Sequence, residues 1–345
     1  ASMLFRLATP KGDYVALRRQ VGGVAAAALL AQLIPEAFAA IELPRSMGWD
    51  GPLRFVRPLR WLLARHGERA IEFRLGELNS GSVSRGHRTL GAAQFAVGSA
   101  AEFPDLWMGQ GVMADPVARR KKLKAAAERL LPPGTRLRQD AALEDTLVNL
   151  TEFPDAVLGS FDAAYLKSLP TEVLVTVMRD HQKYFALEDA AGNLAPYFVA
   201  ITNQRGDPQG LIRHGNERVL RARFADAQFF FDADRKLTLA QRLPWLEHVT
   251  FQARLGSYRD KSRRISKLAR WLAEQWPGTD AAAAAEAAEL AKCDLTSDTV
   301  KEFTELQGIM GGHYARAEGK PAAIAEAIAD QYAWETPPRS NVGAA

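Results

Sequence analysis

Between Arg213 and Lys236 the chain reads R-H-G-N-E-R-V-L-R-A-R-F-A-D-A-Q-F-F-F-D-A-D-R-K, a run whose apolar spacing predicts one long helix. At 3.6 residues per turn, Leu220, Phe224, Ala227 and Phe231 fall on one stripe flanked by Val219 and Phe230, so this helix must lie against a core. Arg218, Arg221 and Asp232 fall on the opposite face together with Phe229, an aromatic that the core stripe does not explain. Two readings follow. Guanidinium groups beside an exposed ring suit RNA, pairing with phosphate and stacking on a base. Alternatively, Phe229 packs against a neighbouring domain and the arginines pair with Glu217, Asp226 and Asp232.

The charge distribution bears on that choice. The net charge is +4, but Arg205 to Arg270 holds fifteen Lys/Arg against seven Asp/Glu, and Thr279 to Ala345 holds five against eleven. A basic middle followed by an acidic end suits contact with a polyanion, or else a solvated helical surface with no partner. A chain of 345 residues that is 47% hydrophobic supports two or three domains. Val21 to Ala40, the most apolar stretch, is interrupted by Gln32, Pro35 and Glu36 and reads as a buried helix, so no membrane partner is expected. The single cysteine, Cys293, excludes an internal disulfide and fits a reducing cytoplasm. The Ala-Ser-Met start resembles a cloning remnant before an internal starting point.

The first two hundred residues alternate short β-type runs with helical ones. Leu53 to Leu63 and Ala70 to Leu75 read as strands or short strand-helix pieces. Asp115-Pro116 opens a helix to about Leu131, as a cap followed by proline at the first helical position. Gln182 to Leu187 and Pro196 to Thr202 form a hairpin turned at Gly192-Asn193. After Asn203 the pattern becomes helical, through Leu237 to Leu243, Tyr258 to Trp276, Asp280 to Cys293 and on to about Trp334. The expected fold class is therefore α+β, a mixed α/β domain over 1–204, a basic helical connector over 205–257 and an all-α domain over 258–345. Glu335 to Ala345, with Pro337-Pro338, reads as a loose end.

No active site emerges from the residue pattern. The six histidines show no metal-ligand spacing, so neither a catalytic group nor a metal site is assigned. Gly308, Gly311 and Gly312 lack a preceding strand and read as helix termini rather than a phosphate loop. Cys293 has no base beside it and reads as a core residue. Three charged clusters remain. Arg85-Gly86-His87-Arg88 is either a phosphate-binding turn or simply a charged one. Met178 to Phe185, with Arg179, Asp180 and Lys183, sits at a helix-to-strand junction, either lining a cleft or closing a surface ion pair from Asp180 to Arg179 or Lys183. Arg119 to Lys124 reads as a solvated helix face, the alternative being contact with RNA.

Taken in order, the motifs resemble one family, the β subunit of the bacterial two-subunit glycyl-tRNA synthetase. They are R-F-V-R-P at 54–58, R-G-H-R at 85–88, E-F-P at 152–154, D-H-Q-K-Y-F at 180–185 and G-N-E-R-V-L-R-A-R-F-A-D-A-Q-F-F-F at 215–231. L-G-S-Y-R-D-K at 255–261, K-C-D-L-T at 292–296 and Q-G-I-M-G-G-H-Y-A at 307–315 complete the series. The resemblance implies that glycine activation with ATP and Mg2+ belongs to the α subunit, so no cofactor is expected in this chain. It implies a β subunit that recognises tRNA(Gly) and completes an α₂β₂ assembly. It also implies a first part like the editing-module fold of the phenylalanyl-tRNA synthetase β subunit, then an HD-like helical domain. Family members are roughly twice this length, which implies a fragment lacking the anticodon-binding domain and some sequence before Ser2. Where an HD hydrolase would present a His-Asp metal pair, this chain has Cys293-Asp294, so a helical scaffold without hydrolase activity is expected. The candidate tRNA contacts are Arg218, Arg221 and Arg223, with Arg85, His87, Arg88, Arg179 and Lys183 as a second cluster. The alternative function is a scaffold that docks the α subunit without touching tRNA.

Overall fold

The Asp115 carboxylate accepts the Val117 N–H at 2.8 Å, capping a helix over Pro116–Glu128 whose buried face is Leu123, Ala126 and Ala127. That helix covers one face of a four-stranded antiparallel sheet in a computed structural model that describes residues 3–18, 22–50 and 53–332. In spatial order the strands are Thr135–Leu137, Tyr184–Asp189, Leu194–Thr202 and Asp155–Ser160. The central pair is the expected hairpin. It turns at Gly192, which has φ 87°, and the Asp189 carboxylate there accepts N–H groups from Ala191 and Asn193.

The other sheet face carries the long helix, which runs Leu211–Asp234. Leu220, Phe224 and Ala227 are fully buried and Phe231 is 8% exposed, as the stripe predicts. Each of the three large side chains contributes about 2 kcal/mol by burial. One core joins Val157, Phe198 and Ala200 of the sheet, this helix, and Leu290, Phe303, Met310 and Ile328 of the helices that follow. Those later helices are Tyr258–Gln275, Ala281–Leu290, Asp298–Glu302, Ile309–Ala317 and Ala322–Ala329.

The chain divides into two compact units, Ala1–Ala114 and Asp115–Ala345. In the first, Met3–Thr9 pairs with Gly12–Arg18, and short strands follow, among them Leu53–Phe55, Leu62–Leu63 and Arg74–Leu75. Its core is small, built on Leu62, Ile71, Leu75 and Val97. The expectation of a buried helix over 21–40 is corrected here. A helix forms over Ala26–Ala39, but it buries no residue, because its alanines offer little surface and Leu29 and Leu33 stay outside at 44% and 43% exposure. The three glycines are partly corrected too. Gly308, with φ 86°, caps the Ile309–Ala317 helix, but Gly311 and Gly312 lie inside it. They are there for close packing: a Cβ on Gly312 would come within 2.7 Å of Ala329 and 2.9 Å of the Ala325 carbonyl oxygen. The readings of Ala1-Ser2, Trp334 and 335–345 lie outside the described residues.

Candidate functional site

The long helix is held at both ends, and this sets which of its side chains face outward. Before it, Asp207 accepts the N–H groups of Ile212 and Arg213 at 3.1 and 2.8 Å, contacts that hold its carboxyl below the usual range. One turn later, Glu217 Oε1 accepts from the Ser160 N–H at 3.0 Å and its Oγ at 3.3 Å, tying the helix to the sheet edge. At the far end the Asp234 carboxylate, 2% exposed, accepts from Asp298 N, Thr299 N, Thr299 Oγ1 and Tyr314 Oη at 2.7–3.0 Å. It also pairs with the buried Arg242 guanidinium at 2.9 Å. Arg242 in turn donates to the Thr296 carbonyl. Asp234 thus caps the Asp298–Glu302 helix and fastens the long helix to the helices beyond it.

With both ends fastened, the outer face holds Arg218 and Arg221, both exposed, and Phe229 at 69% exposure. The expected pairing with Glu217, Asp226 and Asp232 does not form. Glu217 is engaged by Ser160 and Asp232 accepts from Gln228 at 3.0 Å. Among the described residues neither Arg218 nor Arg221 makes an ion pair. Arg223 differs, reaching Glu302 at 3.3 Å.

The second set of residues is divided between the units. In 1–114, Arg85 is exposed and lies 5.0 Å over the Trp61 ring, and Arg88 is exposed. His87 is 4% exposed, with its N–H donated to the Gln110 carbonyl and its Nδ1 accepting from Thr89 N, so the imidazole organises the turn from inside. Gly86 serves the same turn, since a Cβ there would meet Gly91 Cα at 2.9 Å. In 115–345, the Thr171–Thr176 helix widens into a π turn over Val177–His181. Arg179 bridges Asp140 and Asp180, and chiefly the Asp140 bond raises its pKa further. Lys183 adopts a left-handed φ of 58° and donates Nζ to the Asp180 carbonyl at 2.9 Å. Of the two ion pairs expected for Asp180, the one with Arg179 forms, whereas Lys183 reaches only the Asp180 backbone carbonyl. The Arg119 to Lys124 face is not simply solvated: Arg120 pairs with Glu144 and Asp145, and Lys122 lies 4.5 Å over Phe153.

Among the described residues no three His, Cys, Asp or Glu side chains converge as a metal site would require, and no helix is long and apolar enough to cross a membrane. Cys293 is buried, which pushes its thiol up to about 12. Asp294 is fully buried, and its Oδ2 accepts the Gly308 and Gly311 N–H groups at the start of the Ile309–Ala317 helix. Desolvation raises its pKa to about 6 against the lowering effect of those bonds. Sequence reasoning missed Asp234 and Arg242, whose only signal was an acid and a base flanking the Thr238–Gln241 capping box.

A chain with this arrangement matches an aminoacyl-tRNA synthetase family over nearly its whole length. Residues 2–345 fit the model described as glycyl-tRNA synthetase beta subunit, and the chain belongs to that family. It is 47% identical to the glycine-tRNA ligase beta subunit of Acidobacterium capsulatum, covering 95% of this chain and 48% of the relative. The beta subunits of Trichlorobacter lovleyi and Syntrophotalea carbinolica are 40% and 41% identical, covering 99% and 96% of this chain and 51% and 48% of theirs. The chain spans about half the length of these relatives.

Proposed function

We propose that this chain is the tRNA-recognising and assembly-forming part of a glycyl-tRNA synthetase. In this reading glycine, ATP and Mg2+ react on the α subunit of a cytoplasmic α₂β₂ enzyme, and basic groups here hold tRNA(Gly) so that its acceptor end reaches that site. The observation that carries it is the outer face of the long helix, where among the described residues Arg218 and Arg221 have no carboxylate partner and Phe229, further along, is exposed. Unpaired guanidinium groups keep their full attraction for phosphate, whereas paired ones must first give up a protein partner. Arg85 and Arg88 are exposed and belong to the same proposal. Arg223, Arg179 and Lys183 would contribute field while keeping their protein contacts, and His87 would act by shaping its turn.

We further infer an editing-module-like part over 1–204, a connector over 205–257 and an HD-like part over 258–345. The long helix, bonded to Ser160 at one end and Thr299 at the other, supports the role of connector. In the HD-like part Asp294 spends its carboxylate on a helix N-terminus, which supports a scaffold without metal-dependent hydrolysis. Adding divalent metal and a phosphodiester substrate should give no turnover.

A second reading, docking of the α subunit, draws support from the Tyr258–Gln275 helix, which leaves Leu268, Trp271 and Leu272 more than half exposed, with Trp276 beyond its end at 74%. Titrating the protein separately with tRNA(Gly) and with α subunit separates the two. Saturable tRNA binding without α supports the first reading, and binding only to α supports the second. The chain alone should charge no tRNA.

A further inference from the structure

A pocket of about 330 Å³ opens beside Arg221, lined by Ser160, Phe161, Asp162, Tyr165, Glu217 and Arg221. Its charges are held apart where they would ordinarily meet. Glu217 and Arg221 stand four residues apart on one helix, acid before base, the spacing at which helical ion pairs form. Here Glu217 turns instead to Ser160, bonding its N–H and Oγ through Oε1 alone. Asp162 is fixed in the same manner, with Oδ1 accepting the Ala164 N–H at 2.9 Å. Each carboxylate is anchored by one oxygen. The other oxygens, Oε2 of Glu217 and Oδ2 of Asp162, accept no hydrogen bond among the described residues, and the Arg221 guanidinium is unpaired.

We infer that this pocket takes the ribose-phosphate unit of a nucleotide in an RNA strand. The phosphate lies on exposed Arg221 at the rim, and the 2′-hydroxyl donates to an open oxygen of Asp162 or Glu217. Fixed carboxylates are strong acceptors for a ribose hydroxyl, and the 2′-hydroxyl is the group that separates RNA from DNA. At about 330 Å³ the pocket has room for a ribose-phosphate unit. A deoxyribose would dry the same carboxylates and return no hydrogen bond. The inference rests on the RNA reading of the long helix. A free amino acid is the competing occupant, since its ammonium suits the carboxylates and its carboxylate suits Arg221.

The test measures binding of a single-stranded oligoribonucleotide and of the oligodeoxyribonucleotide of the same sequence by fluorescence anisotropy. Wild-type protein should prefer the ribose strand roughly ten-fold, the effect of one charge-assisted hydrogen bond. Asp162→Asn and Glu217→Gln each keep the anchoring acceptor and remove the open charged oxygen. The variant at the accepting carboxylate should cut that preference at least about three-fold while deoxy-strand affinity holds or rises, and an unchanged preference in both variants overturns the ribose site. Equal binding of the two strands by wild type overturns the ribose site and leaves the RNA reading standing. No binding of either strand removes both. Parallel loss of both affinities in both variants, or displacement of the oligoribonucleotide by free glycine, also overturns the ribose assignment.

Discussion

Replacing Asp234 by alanine tests whether the long helix is fastened as described. The carboxylate accepts two backbone N–H groups, the Thr299 and Tyr314 hydroxyls and the Arg242 guanidinium, all in a site where Asp234 is 2% and Arg242 3% exposed. Alanine leaves the buried guanidinium without its counter-charge, which costs about 3–5 kcal/mol, and uncaps the Asp298–Glu302 helix for about 1 kcal/mol more. Part of the guanidinium's loss is recovered because Arg242 still donates to the Asp234 and Thr296 carbonyls. A net loss of about 4 kcal/mol is expected, a large share of the 5–15 kcal/mol typical of a domain. Urea unfolding followed by circular dichroism measures it. Pairing the change with Arg242→Met should cost less than the two single losses added, since the orphaned charge is gone. A single-variant loss below about 1 kcal/mol, or strict additivity in the double variant, would refute the account of this junction.

Three further outcomes follow from the same structure. Asp294 has a folded pKa raised from the usual carboxylate value to about 6, so its protonated form favours the fold. Its stabilising share is complete below about pH 4 and is lost as pH rises through 6. Asp294→Asn should remove that slope, and the difference between variant and wild type should change by up to about 3 kcal/mol between pH 4 and 7. Gly159 lies across from Phe198 in the sheet, and a Cβ there would stand 2.2 Å from the ring. Gly159→Ala should therefore lower the unfolding free energy by about 1–3 kcal/mol, and an unchanged urea midpoint would count against the packing described. The Cys293 thiol, buried and pushed up to about 12, should resist a thiol reagent at pH 8 until urea unfolds the chain.

The parts of this fold that local chemistry dictates were legible in the sequence. Asp115-Pro116 marked a helix start, Gly192 a hairpin turn, and the 220/224/227/231 spacing the buried stripe, each through interactions within a few residues. What escaped was set by distant partners. Nothing local says that Asp234 will meet Thr299 and Tyr314, or that Glu217 will leave Arg221 for Ser160, because both choices depend on where the sheet edge and the later helices lie. Gly311 and Gly312 looked like helix ends because glycine disfavours helix interiors; the close approach of the Ala322–Ala329 helix reverses that preference. The Ala26–Ala39 helix looked like core because alanine counts as apolar, although its side chains bury little area. Of the candidate site, the exposed arginines and Phe229 were foreseeable from the helical wheel. The pocket beside Arg221 and the interior position of His87 were not.

The salt dependence of tRNA(Gly) binding tests the central claim most directly, with wild type compared against Arg218→Ala/Arg221→Ala by anisotropy across a series of salt concentrations. Each lost phosphate contact removes about 0.7–0.9 from the slope of log affinity against log salt. The double variant should therefore bind more weakly, with a slope shallower by about 1.5. Identical affinity and identical slope would contradict the proposal that this face of the long helix meets tRNA.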